Sequence, residues 1–148
     1  MRKFVAIFAL AAAAMPAAAL AAVPVPRSVV LAVDRKVPIA NFMPTRMLPG
    51  YRYASWSYRK GMLRMVFRGP GTRTIVWTVQ PMTGTCDAGK EKSFQLAGNK
   101  VYWSHTATGQ RAWRCVGAAR LETSTALPPT RFADTGLGLV STSARRIR

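Results

Sequence analysis

The 148-residue chain is short of the side chains that build most catalytic and metal sites. It has five acidic residues, one histidine and two cysteines. With His105 as the single candidate base and no G-x-S-x-G motif, the sequence contains no recognisable Ser-His-Asp constellation. The acids are too few and too scattered to indicate a glycosidase pair or a zinc site. We therefore expect a noncatalytic protein that holds no metal and no other cofactor.

Basic side chains, in contrast, are abundant. The 22 lysines and arginines give a formal net charge of +17 at pH 7 and a pI near 11.6. This imbalance indicates anionic partners, although it says little about fold. The 49% of hydrophobic residues excludes a wholly disordered chain, since that much apolar surface can form a small core. The length allows one ordinary domain.

The N-terminus has the pattern of a secretory signal. Arg2 and Lys3 precede an alanine-rich apolar run over residues 4–14, and small residues follow. A basic region, an apolar region and an A-x-A site in this order are typical of a signal peptide. We predict cleavage after Ala21 or Ala22, export to the periplasm or the extracellular space, and no transmembrane span in the mature chain. The alternative is an uncleaved anchor, because about 20 apolar residues can span a bilayer.

The two cysteines, Cys86 and Cys115, lie 29 positions apart. In an exported chain they have one possible intramolecular pairing, and we predict that they form a disulfide. Closing a loop of this length stabilises a small domain by roughly 3 to 4 kcal/mol in the chain-entropy model. Metal binding by the same pair is the competing interpretation, but it lacks further ligands.

Alternating aromatic and β-branched residues predict three consecutive strands over residues 51–58, 62–68 and 73–79. A two-residue turn at Lys60-Gly61 would place Trp56 opposite Met65 and Ala54 opposite Phe67, with Tyr53 on the other, mostly polar face. A three-residue loop at Pro70-Gly71-Thr72 would then place Phe67 beside Ile75 and Met65 beside Trp77. The residues predicted to line one core are Trp56, Met65, Phe67, Ile75, Trp77, Phe94 and Trp103.

A second meander is predicted after the loop over residues 81–90. A Gly98-Asn99 turn would pair Leu96 with Val101 and Phe94 with Trp103. In the next strand, Arg111, Trp113 and Cys115 are expected to face inward, while Ala112, Arg114 and Val116 face outward. Residues 28–33, which are rich in valine, indicate a short strand at an edge.

These patterns predict a mainly β fold, an antiparallel β-meander with one disulfide after an N-terminal signal helix. The predicted boundaries are a signal peptide over residues 1–22 and an extended segment with a possible edge strand over 23–46. A β-rich domain follows over 47–121, and a flexible basic tail over 122–148.

Residues 47–121 contain MLPGYRY, a Lys-Gly hairpin, a Gly-Pro-Gly turn, FQLAGNKVYW and GQRAWRC. Together these motifs resemble a family of exported β-rich domains of unknown function that are associated with anti-sigma factors. The resemblance implies a sheet similar to that of outer-membrane lipoprotein carriers, with an inward tryptophan, and it supplies no catalytic residues. The matching residues are Leu48, Pro49, Gly50, Tyr51, Gly98, Val101, Tyr102, Trp103 and Trp113.

One segment has the glycine and lysine spacing of a phosphate-binding loop, from Gly84 through Gly89 to Lys90. In nucleotide-binding proteins the next residue is Ser or Thr, whose hydroxyl coordinates Mg²⁺. Here that residue is Glu91, and the segment also holds Cys86. We therefore expect a surface loop fixed by the disulfide, and no nucleotide.

A group of arginines interleaves with aromatic residues in the first meander and forms the candidate anion site. These side chains could bind phosphate, carboxylated glycan or nucleic acid. Alternatively, they only cover the solvent faces of strands with their stems. The candidate residues are Arg52, Arg59, Arg64, Arg68 and Arg73.

Two binding functions are consistent with these observations, and the third and least favoured alternative is a small hydrolase, which substitution of His105 would test. The first is an exported, noncatalytic module of the cell envelope whose sheet binds another envelope protein or an apolar ligand. The alternative is a cationic surface protein that binds anionic lipid, cell-wall polymer or nucleic acid. Salt separates them, because ionic binding weakens steeply as salt rises whereas an apolar contact survives.

Overall fold

The computed structural model describes residues 23–38, 42–44, 46–86, 92–96 and 98–125. In these ranges the chain is mainly β, with antiparallel sheets, one helix and the Cys86–Cys115 disulfide, which confirms the predicted fold class. The predicted signal helix over residues 1–22 and residues 126–148 of the predicted tail lie outside the described residues. No helix within the described ranges is long and apolar enough to cross a membrane.

The helix and strands of the described ranges are numbered here in chain order. Helix α1 covers Arg27–Lys36. The strands are β1 Val23–Pro24, β2 Arg46–Met47, β3 Arg52–Arg59, β4 Met62–Arg68, β5 Thr74–Pro81, β6 Lys92–Leu96, β7 Asn99–Thr106, β8 Gly109–Val116 and β9 Ala119–Thr125.

Seven strands form one antiparallel sheet in the order β3-β4-β5-β9-β8-β7-β6, while β1 and β2 form a separate pair. Strand β9 joins the two predicted meanders, because it pairs with β5 on one side and with β8 on the other. It also extends the β-rich domain past its predicted end at residue 121, so that residues 122–125 belong to the sheet and the predicted tail boundary is wrong. This strand was not predicted, because two of its buried positions are the polar residues Thr123 and Thr125 and they interrupt the apolar alternation.

The first meander confirms most of the predicted register. Trp56 lies opposite Met65, and on the next strand pair Met65 lies opposite Trp77. The predicted pairing of Ala54 with Phe67 is wrong, since a β-bulge between Tyr53 and Ser55 places Tyr53 opposite Phe67. The bulge turns Tyr53 toward the core, where its ring packs edge-on against Phe67 with centroids 6.2 Å apart.

The second meander has the predicted strands with a register shifted by two residues. Phe94 lies opposite Val101, and Leu96 lies opposite Asn99, so the turn begins one residue earlier than predicted. A shift of two residues leaves every side chain on its predicted face, since side chains alternate with a period of two. The predicted core is therefore confirmed, with Phe94 and Trp103 partly buried against it.

The face assignment predicted for β8 is wrong. Ala112 lies beside Thr123 and Arg114 beside Leu121, which puts both on the core face, and both are buried. Trp113 and Cys115 consequently lie on the opposite face. Burial raises the energy of a charged guanidinium, and it lowers the pKa of Arg114.

Residues 28–33, predicted as an edge strand, belong to α1 instead. The valines that suggested a strand recur at helical spacing, and Val30, Val33 and Val37 are buried in the same cluster as the sheet residues. Packing on the sheet therefore outweighs the strand preference of valine. Arg35 and Lys36, two basic residues in the last turn, also stabilise the helix through their interaction with the helix dipole.

Candidate functional site: the basic face of the sheet

Side chains alternate between two faces of the seven-stranded sheet. One face carries the core. The other is called the basic face here, because among the residues that the structure describes it bears seven basic side chains and one acidic side chain, Glu122. The seven are Arg52, Arg59, Arg64, Arg68, Lys100, Arg111 and Arg120.

Four of the five predicted candidates lie on the basic face, and all four are exposed. Strand β4 presents Arg64 and Arg68, and the neighbouring strand β3 presents Arg52 and Arg59. Arg73 lies apart, in the turn between β4 and β5, and is also exposed. The structure therefore brings four of the predicted arginines together and leaves the fifth at the end of the sheet.

Three further basic residues of this face, Lys100, Arg111 and Arg120, were not predicted as candidates. Arg111 was assigned to the core face with Trp113, although the actual faces of β8 are reversed. The alternation in Leu121-Glu122-Thr123 could have identified one of these residues, because with Leu121 in the core Arg120 and Glu122 must point away from it.

The bulge in β3 produces an arginine pair. Arg52 lies directly opposite Arg68, at a position where the unbulged register would place Tyr53. Side chains at directly opposite positions have Cβ atoms about 5 Å apart, and like charges there repel. The two guanidinium groups thus form a local concentration of positive charge at one end of the sheet.

This arginine pair lines an open cleft of about 510 Å³. Gly50, Gly69 and Pro70 form other parts of its wall, and the two glycines contribute no side chain to it. Gly69 has no room for a side chain, because a Cβ atom there would lie 2.5 Å from Cε1 of the buried Tyr51 ring. The ring therefore packs directly against the wall of the cleft.

Tyr51 links this wall to the turn that carries Arg73. Burial raises the pKa of the Tyr51 phenol, and the positive charge of Arg73 partly opposes this shift. The Tyr51 hydroxyl is buried and has no hydrogen-bond partner among the residues that the structure describes. The phenol is therefore a neutral packing group at neutral pH.

The other end of the basic face is a ladder of cations and aromatic rings. The guanidinium carbon atoms of Arg111 and Arg120 lie 5.2 Å and 4.7 Å from the centroid of the Trp113 ring. Tyr102 stacks on Trp113 with ring centroids 5.9 Å apart, and Lys100 Nζ lies 5.0 Å from the Tyr102 centroid. These cation–π contacts hold the basic side chains in place.

Hydrogen bonds fix two of the ladder's arginines further. Arg111 Nε donates to Ser104 Oγ at 2.9 Å. Arg120 Nη2 donates to Glu122 Oε2 at 2.8 Å, and this ion pair compensates the single acidic side chain seen on the face. The face thus has excess positive charge at both ends.

The disulfide covers the ladder from one side. Cys86 and Cys115 are joined with Cα atoms 5.9 Å apart, as predicted. Trp113 Nε1 donates to the Cys86 carbonyl oxygen at 3.1 Å, and the side chain is 1% exposed. Trp113 is therefore buried by the loop and by cations, outside the core formed with α1.

The other predicted features form no second site. His105 is exposed on the core face, where its ring is edge-on to Trp103 at 5.2 Å. Gly89, Lys90 and Glu91 of the loop with phosphate-binding spacing lie outside the described residues. Within the described ranges, no group of three or more His, Cys, Asp or Glu side chains could hold a metal ion.

Comparison with known proteins identified no relative of this chain. No family model matches the chain, and neither a curated protein nor a solved structure matches it. The resemblance to exported domains associated with anti-sigma factors stays a prediction. The chemistry of the basic face must consequently be read from its own residues: guanidinium and ammonium groups that donate hydrogen bonds and attract anions.

Proposed function

We propose that this protein is an exported, noncatalytic binding module of the cell envelope that holds an anionic polymer on its basic face. The observation that carries the proposal is the charge of that face. Within the described part of the chain, seven basic side chains lie there with one acidic side chain, which is already ion-paired with Arg120. Such an excess of positive charge on one face attracts a negatively charged partner.

The kinds of side chain on the face favour binding over catalysis. Arginine does not lose its proton in proteins, so it cannot serve as a general base. The one carboxylate of the described face, Glu122, is held by Arg120 at 2.8 Å. A set of fixed hydrogen-bond donors without a proton acceptor is suited to holding an anion.

The shape of the face favours a polymer over a single small anion. From β4 to β8 the sheet crosses three strand spacings, about 14 Å at roughly 4.8 Å each. Basic side chains lie at both ends of this distance, with Arg64 on β4 and Arg111 on β8. A chain with repeated negative groups can reach both ends, and each further contact adds to its affinity.

An apolar ligand, a membrane interior or stacked bases fit this face less well. Among the residues that the structure describes, the apolar side chains of this face on β4 and β5 are Met62, Val66 and Val76, and all three are half-buried. Its two aromatic rings, Tyr102 and Trp113, are buried and covered by cations. Stacking of nucleic-acid bases needs exposed rings, so the basic face offers charge and hydrogen bonds instead.

The proposal is tested by titrating the mature chain with polyphosphate and with alginate over a range of salt. We expect saturable binding near physiological ionic strength, where the Debye length is about 8 Å and scattered charges are largely screened. Its affinity should fall steadily with the logarithm of the salt concentration. Binding that disappears before physiological salt would contradict the proposal.

A parallel titration with phosphatidylglycerol vesicles separates a polymer from a lipid surface. We expect vesicle binding to be weaker than polymer binding at equal concentration of negative charge, because the described face exposes no large apolar side chain that could insert into a bilayer. Strong vesicle binding without polymer binding would contradict the assignment of a polymer.

A further inference from the structure

We propose that Arg52 and Arg68 form a subsite for a phosphate group in its dianionic, monoester form. This inference rests on the proposed function and deepens it, because it names the chemical group that the face recognises. The structural basis is one pair of opposed guanidinium groups in the cleft between β3 and the β4–β5 turn.

The β-bulge in β3 determines which face of the sheet carries Arg52. If β3 continued from Ser55 in regular register, with no bulge, Tyr53 would lie opposite Arg68 and Arg52 would lie on the core face. The bulge restores Arg52 to the basic face and sets it directly opposite Arg68. Bulges often re-aim side chains beside functional sites, and this one creates the arginine pair.

The charge of this pair is not compensated by any acidic side chain that the structure describes. The acidic residues in the described ranges are Asp34, on α1, and Glu122, on β9. Glu122 is two strands away from β4 and is paired with Arg120. Two like charges at opposed positions repel, so an anion between them would remove a repulsion as well as add attraction.

The chemistry of two guanidinium groups favours phosphate over carboxylate. A phosphate monoester carries a charge of about −1.5 to −2 at pH 7 and offers three terminal oxygens. Two arginines supply two positive charges and two planar sets of donors, each able to bind two oxygens. A carboxylate has one charge and two oxygens, and it would satisfy one arginine.

The cleft has room for a phosphate that belongs to a larger molecule. At about 510 Å³ it is open to solvent, and Gly50 and Gly69 contribute no side chain to its wall. A phosphate group can therefore approach the backbone while the rest of the ligand continues along the basic face toward Arg64.

The test uses glycerol 3-phosphate as the probe and acetate as its carboxylate counterpart, with binding followed by the NMR signals of the arginine Nε–H groups. The variant Arg52→Gln with Arg68→Gln removes the cleft pair. The control, Arg59→Gln with Arg64→Gln, removes the same charge from the same two strands outside the cleft. Both variants must first show the circular dichroism spectrum of the wild type.

We expect glycerol 3-phosphate to bind the wild type at least tenfold more tightly than acetate does. The cleft variant should lose at least tenfold in affinity for glycerol 3-phosphate, and the control less than threefold. Equal losses in both variants, or equal affinity for the two probes, would overturn the subsite.

A second readout is the melting temperature, measured first without ligand and then with inorganic phosphate. Because the two guanidinium groups repel each other, Arg68→Gln should raise the melting temperature at low salt. Phosphate at about 10 mM should raise the melting temperature of the wild type more than that of the variant. A melting temperature that falls in Arg68→Gln would contradict the repulsion on which the subsite depends.

Polymer binding distinguishes failure of the subsite from failure of the proposed function. If polyphosphate and alginate bind the wild type equally well while glycerol 3-phosphate fails to saturate, the subsite is wrong and the basic face still binds anions. If glycerol 3-phosphate saturates the cleft while neither polymer binds, the phosphate subsite stands and the polymer function is wrong.

Discussion

Phe67 lies in the core of the first meander, on the strand between β3 and β5. It is fully buried, with Tyr53 opposite it on β3 and Ile75 opposite it on β5. Both neighbours are themselves fixed by the strand register, so neither can move far to fill a space left by a smaller residue. The contribution of Phe67 to stability is consequently large.

We expect Phe67→Ala to lower the free energy of unfolding by about 3 to 5 kcal/mol, because it removes a buried ring and leaves a cavity. Urea denaturation measures the loss. The control is Val66→Ala, on the basic face and half-buried, which should cost distinctly less. A loss below about 1 kcal/mol for Phe67→Ala would show that this residue is not in the core.

Gly69 tests the close packing behind the arginine cleft. Gly69→Ala should cost about 1 to 3 kcal/mol, because the added Cβ would lie 2.5 Å from the Tyr51 ring, and this ring is buried. The same substitution in a Tyr51→Leu background should cost less, since the obstructing ring is gone. Equal costs in both backgrounds, measured by urea denaturation, would exclude the proposed contact.

Turns and bulges set the register of each strand pair. The β3–β4 turn has Lys60 at φ 51° and Gly61 at φ 77°, the two left-handed residues of a type I′ turn. Glycine adopts this conformation without cost, whereas lysine does not. The turn therefore fixes the hairpin while carrying strain at one position.

Lys60→Asn should relieve part of that strain, because Asn-Gly is the preferred sequence of a type I′ turn. We expect a gain of about 0.5 to 1 kcal/mol in the free energy of unfolding. Lys60→Val, with a β-branched side chain that tolerates a positive φ poorly, should destabilise the protein. Stabilisation by valine equal to that by asparagine would indicate a different turn.

The first hairpin was predictable because its alternation extends over eight residues and its turn residues are distinctive. The β3 bulge was not, since one inserted residue changes the face of Tyr53 and Arg52 without a sequence signal of its own. The faces of β8 were reversed for a related reason. Trp113 is buried outside the main core, and hydrophobicity alone does not say which buried surface a residue belongs to.

Strand β9 and the disulfide join parts of the chain that are distant in sequence. Strand β9 connects the two meanders, and the Cys86–Cys115 bond fastens the long connection after β5 to β8. The candidate site was predictable in part. Arginines on β3 and β4 were visible as a group, whereas Lys100, Arg111 and Arg120 join them only because β9 lies at the centre of the sheet.

Replacing both cysteines, Cys86→Ala with Cys115→Ala, should lower the free energy of unfolding by roughly 3 to 4 kcal/mol, since the unfolded chain gains the freedom of a 29-residue loop. The near-ultraviolet circular dichroism of the tryptophans should also change, because Trp113 donates its hydrogen bond to Cys86. A loss below 1 kcal/mol with an unchanged spectrum would contradict a stabilising role for the bond.

In the proposed function, the arrangement of charge on one face, rather than net charge alone, binds the ligand. The most direct measurement compares two variants that each lose two arginines, by titration with polyphosphate at about 0.15 M salt. One variant is Arg64→Gln with Arg68→Gln on the basic face, and the other is Arg27→Gln with Arg35→Gln on α1, where both side chains are exposed.

We expect the basic-face variant to lose at least tenfold in affinity and to show a salt dependence that is shallower by about one to two in logarithmic slope, because two contacts are gone. The α1 variant should change less than threefold. Equal losses in the two variants at matched salt would mean that net charge alone attracts the polymer and that the basic face is not a binding site.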